Sequence, residues 1–547
     1  MQPYKFYTLT ILRLLFCFLL TSSLCAQTLQ VSPSTLQFGT KSELETDSLP
    51  VQLSNSGQQP LSLKLRIPFR VYGSQPYSIR DSVFSLAGGE SKTIFVRCRI
   101  LHNTANDAAL LIESPWQEPG GDHAVLLQCQ GRYSMNYYDA SQNLEEEALK
   151  QSLKSITGNN YNGYSYDVAR DKMYGSIDNH NDSVTCIYTG RKARFNTRAG
   201  AGTNNFNCEH TFPQSFFSQN LPMRSDLHHL FSTDDAANNS RGNLPFGTAV
   251  PPLVAEAVNA PSKNGGGHYE PRDQQKGATA RAMIYFVNRY EDYGGFFAPQ
   301  QAILRSWHRQ FPPSAEEKAR NQAIFAEQAN RNPFVDYPQL ADRIHDFIAA
   351  SQAVQEKKLR ISDDVLYSPA DITASQAAFS LLLWNEGNQP VQVQNIRFRH
   401  RRLRCTGSNN LSVAGNSATE IHIQWNPDSV LSDASADSLL FETDDPQHNS
   451  VVIPWIRQPF TSVAARQLNH QFILAGDEEK TCFRVLNGRQ ETKSSYSLEA
   501  VDVTGRKQVL EEISEGRYRI QQGKPGLYFI IFRNAGFSQR LPFFLKP

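Results

Sequence analysis

The sequence predicts a multidomain, mainly β chain built around one central α+β block. Three observations carry this: long stretches of period-two alternation, a repeated motif pair, and a central region with helical spacing. At roughly 100–200 residues per domain, 547 residues imply several domains. Residues 27–132 alternate apolar and polar in LSLKLRI, KTIFVRCRI and AVLLQCQG, with turn signals between, which is a β-sandwich pattern. The motifs LSNSGQQPLSL and SLAGGESKTIFV of that region return as LLWNEGNQPVQV and SVAGNSATEIHI. In each copy Asn-x-Gly is followed by Gln-Pro and a new strand, so residues 358–457 form a second copy of the first module. Two copies are too few for a solenoid, and they are expected to flank the central block. Residues 458–547 return to short strands and complete the chain as a small β domain.

The central block, residues 133–357, changes period. NLEEEALKQSLKSIT places Leu144, Leu149, Leu153 and Ile156 near helical spacing, and KGATARAMIYFVNRY does so with Ala280, Ile284 and Val287. SAEEKARNQAIFAEQANRN is a third helix, with Ser314 and Glu317 at capping-box spacing. Gly- and Asn-rich irregular chain lies between the first two, and long loops concentrate function.

The first 26 residues pair Lys5 and Arg13 with the apolar run ILRLLFCFLL and end in TSSLCA, the layout of a secretory signal. The run is shorter than the roughly 20 residues a spanning helix needs. The expected location is therefore outside the cell or on its surface. Beyond the signal lie Cys98, Cys129, Cys186, Cys208, Cys405 and Cys482. An even number in an exported chain predicts disulfides, by neighbourhood Cys98–Cys129 and Cys186–Cys208, with Cys405–Cys482 left over. The formal net charge of +1 excludes wholesale steering of polyanions, so any such attraction must be local.

The chemistry gathers in two segments. NNFNCEHTFPQSFF, residues 204–217, sets Glu209 beside His210 just before a proline. SDLHHLFSTDDAANNSRGNLPFG, residues 225–247, adds Asp226, His228, Asn238, Asn239, Arg241 and Asn243. Phosphodiester hydrolysis needs a base for water, which a neutral imidazole supplies near pH 7, and positive charge for the phosphate and leaving oxygen. A hard divalent cation on oxygen ligands supplies that charge.

CEHTFPQSFF, MRSDLHHLFSTD and NNSRGNLPFG, followed by EPRDQQKGATARAMIYF, the Trp307 segment and EQANRNPFVDYP, resemble the secreted bacterial endonuclease I family. These are nonspecific nucleases of the His-Me finger, or ββα-metal, class, and the likeness runs in order through most of residues 133–350. The resemblance implies that His210 is the general base. It implies that Glu209 and Asn238 are ligands of magnesium, with manganese or calcium as substitutes. It implies cleavage of DNA, and of RNA too, with little sequence preference and 5′-phosphate products. Arg224, Arg241 and Arg281 stand as candidates for clamping the transition state. Neighbours in a regular strand point to opposite faces, so Glu209 and His210 are expected to need a twist or bulge to share a site. The flanking modules resemble immunoglobulin-like modules of exported bacterial proteins. The tail, with DVTGR and KPGLYFIIF, resembles the C-terminal sorting domain of type IX secretion substrates, which implies an export machinery as partner.

Two rival functions remain open on sequence alone: a zinc hydrolase using His210, His228 and Asp226, and a cell-surface binding protein with a decayed nuclease fold. Outside the zinc reading, Asp226 and His228 are expected to orient the block through buried hydrogen bonds. TGRKARFNTR, residues 189–198, offers Arg191, Lys192, Arg194 and Arg198 as a phosphate track or a solvated loop. RFRHRRLR sets Arg397, Arg399 and Arg401 on one expected strand face, read as a solvated edge. Arg331, Asn332 and Asp336 are expected to fasten the last helix of the block.

Overall fold

A computed structural model describes residues 29–545 except 59, 114–121, 255, 353, 364–365, 369–377, 401–402, 427–435, 458–471, 477–481, 488–496, 503–506, 515–516, 521–525 and 535–536. The expected signal segment and Arg401 lie outside the described residues. Among the described residues no helix is long and apolar enough to cross a membrane.

Nine strands between Leu29 and Arg132 form two facing sheets. Counted in chain order, the sheets run one-three-seven-five and two-nine-eight-four-six. Nine strands between Leu359 and Arg457 repeat both orders. In each copy the second strand pairs parallel with the ninth. The repeated motifs have a shared physical cause. Asn55 Oδ1 accepts from Gly57 N at 2.9 Å, and Asn385 Oδ1 accepts from Gly387 N at 2.9 Å. Each Asn side-chain nitrogen donates to carbonyls across the module, Leu86 and Ala87 for Asn55, Gln389 and Val413 for Asn385. Each buried amide thus satisfies backbone at a turn that the ladder leaves unpaired. The second motif supplies the glycine beside that turn. A Cβ on Gly88 would fall 2.2 Å from Gln58 O, and one on Gly415 2.7 Å from Asn388 O.

The tail contributes two four-stranded sheets between Phe472 and Leu545. The RFRHRRLR expectation is corrected: the strand Val391–Phe398 ends before Arg399, so Arg397 and Arg399 do not share one strand face.

In the central block the helix Asp273–Arg289 is buried over nearly its whole length and forms the axis of an aromatic core. Its apolar residues lie all round it, as in a helix enclosed by its domain. The helices Glu146–Gly158 and Gln301–Gln310 pack on it. The helix Ala315–Gln328 is capped by Ser314, whose hydroxyl accepts from Glu317 N at 3.2 Å. Asn332 caps the next turn through Phe334 N at 3.0 Å and donates to Arg281 O at 3.1 Å, while Arg331 pairs with Asp336 at 2.6 Å. The expected fastening role of this segment follows from these bonds.

The first module docks firmly on this block. Buried Arg343 donates to Asn103 Oδ1, Ser141 O and Leu144 O, and Asn103 reaches Ser141 Oγ at 3.1 Å. Gln339 Nε2 of the block donates to Leu101 O of the module at 2.8 Å.

The disulfide expectations are corrected. Cys98 and Cys129 face each other between the two sheets as buried thiols that share a hydrogen bond. Cys186 Sγ accepts from Asp234 N at 3.1 Å and Thr189 N at 3.3 Å, whereas Cys208 lies against Tyr166. The two point to different partners and carry no bridge. Cys405 is a free thiol, and the side chain of Cys482 lies outside the described residues.

Candidate active site

The strand Phe206–His210 pairs antiparallel with the strand Leu230–Asp234, and the chain passes directly into the helix Asp235–Arg241. Register runs unbroken from Phe206↔Asp234 to His210↔Leu230. The expected bulge is absent, and Glu209 and His210 take different partners along a regular strand. Glu209 meets Tyr188 and Arg241, while His210 meets Tyr166 and His229. Among the described residues the sheet has only these two strands, so the outer edge of the Glu209 strand is open to the helix.

That edge explains the three-residue spacing of Asn238 and Arg241. Alternate carbonyls of an antiparallel strand face away from the partner. Asn238 Nδ2 donates to Cys208 O at 3.5 Å, and Arg241 Nη1 donates to His210 O at 3.0 Å. Residues three apart share a helix face, and here they meet carbonyls two apart on a strand. Gly242, at φ +51°, then ends the helix in a conformation side chains resist.

Glu209 is 1% exposed. Its Oε1 accepts from Tyr188 Oη at 2.6 Å and lies 3.2 Å from Arg241 Nη1. Burial pushes its carboxyl above the ordinary range, against the pull of Arg241 and Tyr188. Both contacts use one oxygen. With Asn238's nitrogen on the backbone, its amide oxygen is left to turn elsewhere. A carboxylate and an amide oxygen suit a hard divalent cation, and the charge-poor burial of Glu209 favours one.

His210 is also buried. Its Nε2 lies 3.1 Å from Arg224 O, and a carbonyl only accepts, so Nε2 carries the proton and Nδ1 holds the lone pair. Burial, then His229 and the nearby arginines, pushes the imidazole down to about 3 and keeps it neutral. Sequence reasoning missed Tyr188 and Tyr166. Neither stands near the Glu-His pair in the chain, and only folding brings them there.

The three candidate arginines separate. Arg241 is 1% exposed, bonded to His210 O, Thr211 O at 2.7 Å and Glu209, and faces inward; it braces the strand. Arg281 is paired with Glu317 at 2.7 and 2.6 Å and bonded to Phe311 O. Among the described residues the Arg224 guanidinium is bonded to no carboxylate; it lies 4.5 Å from the Tyr166 ring centroid, and the Arg224 carbonyl holds His210.

Asp226 is fully buried and accepts from Tyr285 and Tyr290 at 2.8 Å, Gln328 at 3.1 Å and His228 N at 3.1 Å. His228 Nε2 meets Asn330 O at 3.1 Å. The expected structural role of both is met. Their bonds lead away from His210, and among the described residues no three of His, Cys, Asp and Glu gather to hold a metal. In the basic segment, Arg191 pairs with Asp234, and Arg198 with Asp167 and Asp171 at 2.7 Å, so two of its four cations are neutralised locally.

A family model described as Endonuclease I matches residues 140–339. An extracellular ribonuclease of Bacillus amyloliquefaciens is 30% identical, over 38% of this chain and 77% of its own length. The chain belongs to the endonuclease I family. The extracellular ribonuclease of Bacillus subtilis is 29% identical over the same shares. An extracellular deoxyribonuclease of Aeromonas hydrophila is 28% identical over 21% of this chain and 50% of its own. The endonuclease I region contains the strand–strand–helix unit and the helices that support it, and leaves both flanking modules and the tail outside it.

Proposed function

We propose that the protein is an exported, sequence-nonspecific endonuclease that hydrolyses phosphodiester bonds of DNA and RNA, leaving 5′-phosphates. What supports the reading most is His210: a buried, neutral imidazole with Nε2–H pinned to a carbonyl and Nδ1 left as acceptor, one residue from a buried carboxylate. The strand–strand–helix unit is the His-Me finger of this reading. Glu209 and Asn238 would hold magnesium, or manganese or calcium, and such a cation would supply positive charge against the phosphate and the departing oxygen. His210 Nδ1 takes the proton of the attacking water. The Arg224 carbonyl, accepting from His210 Nε2, fixes the tautomer, and the Arg224 guanidinium, bonded to no carboxylate among the described residues, meets the phosphate. Arg241 and Tyr188 hold Glu209 in place. Nothing here reads base edges, which fits backbone recognition.

Export agrees with the extracellular and periplasmic names of the relatives. The flanking modules are immunoglobulin-like and the tail is a type IX sorting domain in this reading.

The test is nicking of circular plasmid by the full chain, with magnesium, with EDTA and as His210→Ala. Magnesium-dependent nicking lost in the variant is expected. A folded native chain that binds DNA without cutting it would favour the binding-protein reading. Cleavage surviving in His210→Ala would remove this residue as the base.

A further inference from the structure

We propose that Arg170, held on Tyr166, is a second phosphate-binding residue of the cleft, gripping the nucleic-acid strand beside the phosphate met by Arg224. This rests on the nuclease reading above. The helix Tyr166–Lys172 starts at Ser165, whose hydroxyl accepts from Val168 N at 3.3 Å. Tyr166 and Arg170 are four apart and so share a helix face. The Arg170 guanidinium carbon lies 4.3 Å from the Tyr166 ring centroid, and that of Arg224 lies 4.5 Å from the same centroid. The ring of His210 is 5.4 Å away. The Tyr166 hydroxyl meets the Cys208 thiol, on the same strand as the imidazole, so the ring is tied to the catalytic strand.

Two features ask for an anion. First, the Nε atoms of both Arg170 and Arg224 are buried without a hydrogen-bond partner. A buried donor left unpaired is costly and calls for an explanation, of which a bound ion is one. Here two of them flank one ring beside the proposed base. Second, two guanidinium groups share this ring, and the one carboxylate bonded to either is Asp167, 2.5 Å from Arg170 and 58% exposed. Asp167 is also shared with Arg198 at 2.7 Å. An exposed pair three apart on a helix is screened by solvent and contributes too little to account for the placement of Arg170. A planar guanidinium fork matches phosphate oxygens, and stacking on an aromatic face fixes its plane.

The experiment measures binding of a labelled DNA oligonucleotide to the full chain carrying His210→Ala, across a salt series. Arg170→Ala is expected to weaken binding roughly tenfold, as loss of a charge-assisted contact does. It should also flatten the slope of log K against log salt by about 0.7–0.9, one phosphate's worth. Arg170→Lys keeps the slope. Asp167→Ala, which removes a competing carboxylate, binds as tightly as its parent or tighter. Tyr166→Phe keeps affinity, and Tyr166→Leu loses slope at both arginines. An unchanged slope in Arg170→Ala, with its melting transition intact, overturns the proposal. So does Asp167→Ala weakening binding as much as Arg170→Ala, since the arginine would then act through its ion pair alone. If the parent binds DNA in this manner but the native chain cuts nothing, the nuclease reading fails while the seat stands. If the native chain cuts and Arg170→Ala leaves the slope untouched, only the seat fails.

Discussion

Glu209 and Asp226 are two buried carboxylates of one block, each beside an arginine, and they are treated in opposite ways. Asp226 receives four hydrogen bonds spread over both oxygens, with Arg289 at 3.5 Å. Burial pushes it up, but Arg289, His228 and His229 outweigh that and hold it well below the usual carboxylate range. Glu209 has two partners on a single oxygen, and burial wins, leaving its proton affinity raised. A saturated buried carboxylate ties helices together. A half-satisfied one keeps capacity for a cation, and the proposed site lies at the half-satisfied end.

The contrast breaks first at activity. Glu209→Gln is expected to lower plasmid cleavage by about a thousandfold, several kcal/mol of lost charge stabilisation, while shifting unfolding by no more than about 1 kcal/mol. A rate within tenfold of the native one would place the cation elsewhere. Asp226→Ala should do the reverse to the fold. It strands two tyrosine hydroxyls, Gln328 and Arg289, at a cost of about 3–5 kcal/mol in the denaturant midpoint. A near-native midpoint would undo the distinction between the two carboxylates.

Acid sharpens the same contrast. Burial lowers His102, His228 and His308 to about 4 each. Unfolded histidines bind protons below about 6.5, so the unfolded state gains protons first as pH falls. Stability is complete above about 6.5 and is lost between there and about 4, by about 1.4 kcal/mol per pH unit for each histidine. Melting temperature against pH should show this fall, and His308→Gln should flatten it by one histidine's share. A flat profile from pH 7 to 4 would contradict the burial of these rings.

The smallest effects compare the modules. Asn55→Ala and Asn385→Ala remove equivalent amides, and each should cost about 1–3 kcal/mol. Unequal losses, read by thermal unfolding, would show that the repeat is not energetically symmetric.

Much of this fold was legible in the chain. Period-two alternation marked both modules, and the Asn-x-Gly and Ala-Gly motifs marked the duplication, because their turn chemistry is local. The capping Ser314 and the Glu-His pair were legible for the same reason. The cysteine pairing Cys186–Cys208 was misjudged, since nearness in sequence does not aim two sulfurs at each other. The choice among Arg224, Arg241 and Arg281 was also closed to the sequence. All three are the same residue type, and their difference is which carbonyl or carboxylate each finds after folding.

The sequence by itself determined the duplicated module frame, which depends on spacing along the chain, and the resemblance carried by its motifs singled out Glu209, His210 and Asn238 as candidate site residues. Tertiary structure alone decided that Glu209 and His210 take different partners along a regular strand with no bulge, and that Asn238 and Arg241 seal its outer carbonyls. It also decided that Tyr188 and Tyr166 are among those partners. The physical reason is that burial, proton affinity and unpaired donors belong to the packed surroundings of a group, and residues distant in the chain supply those surroundings.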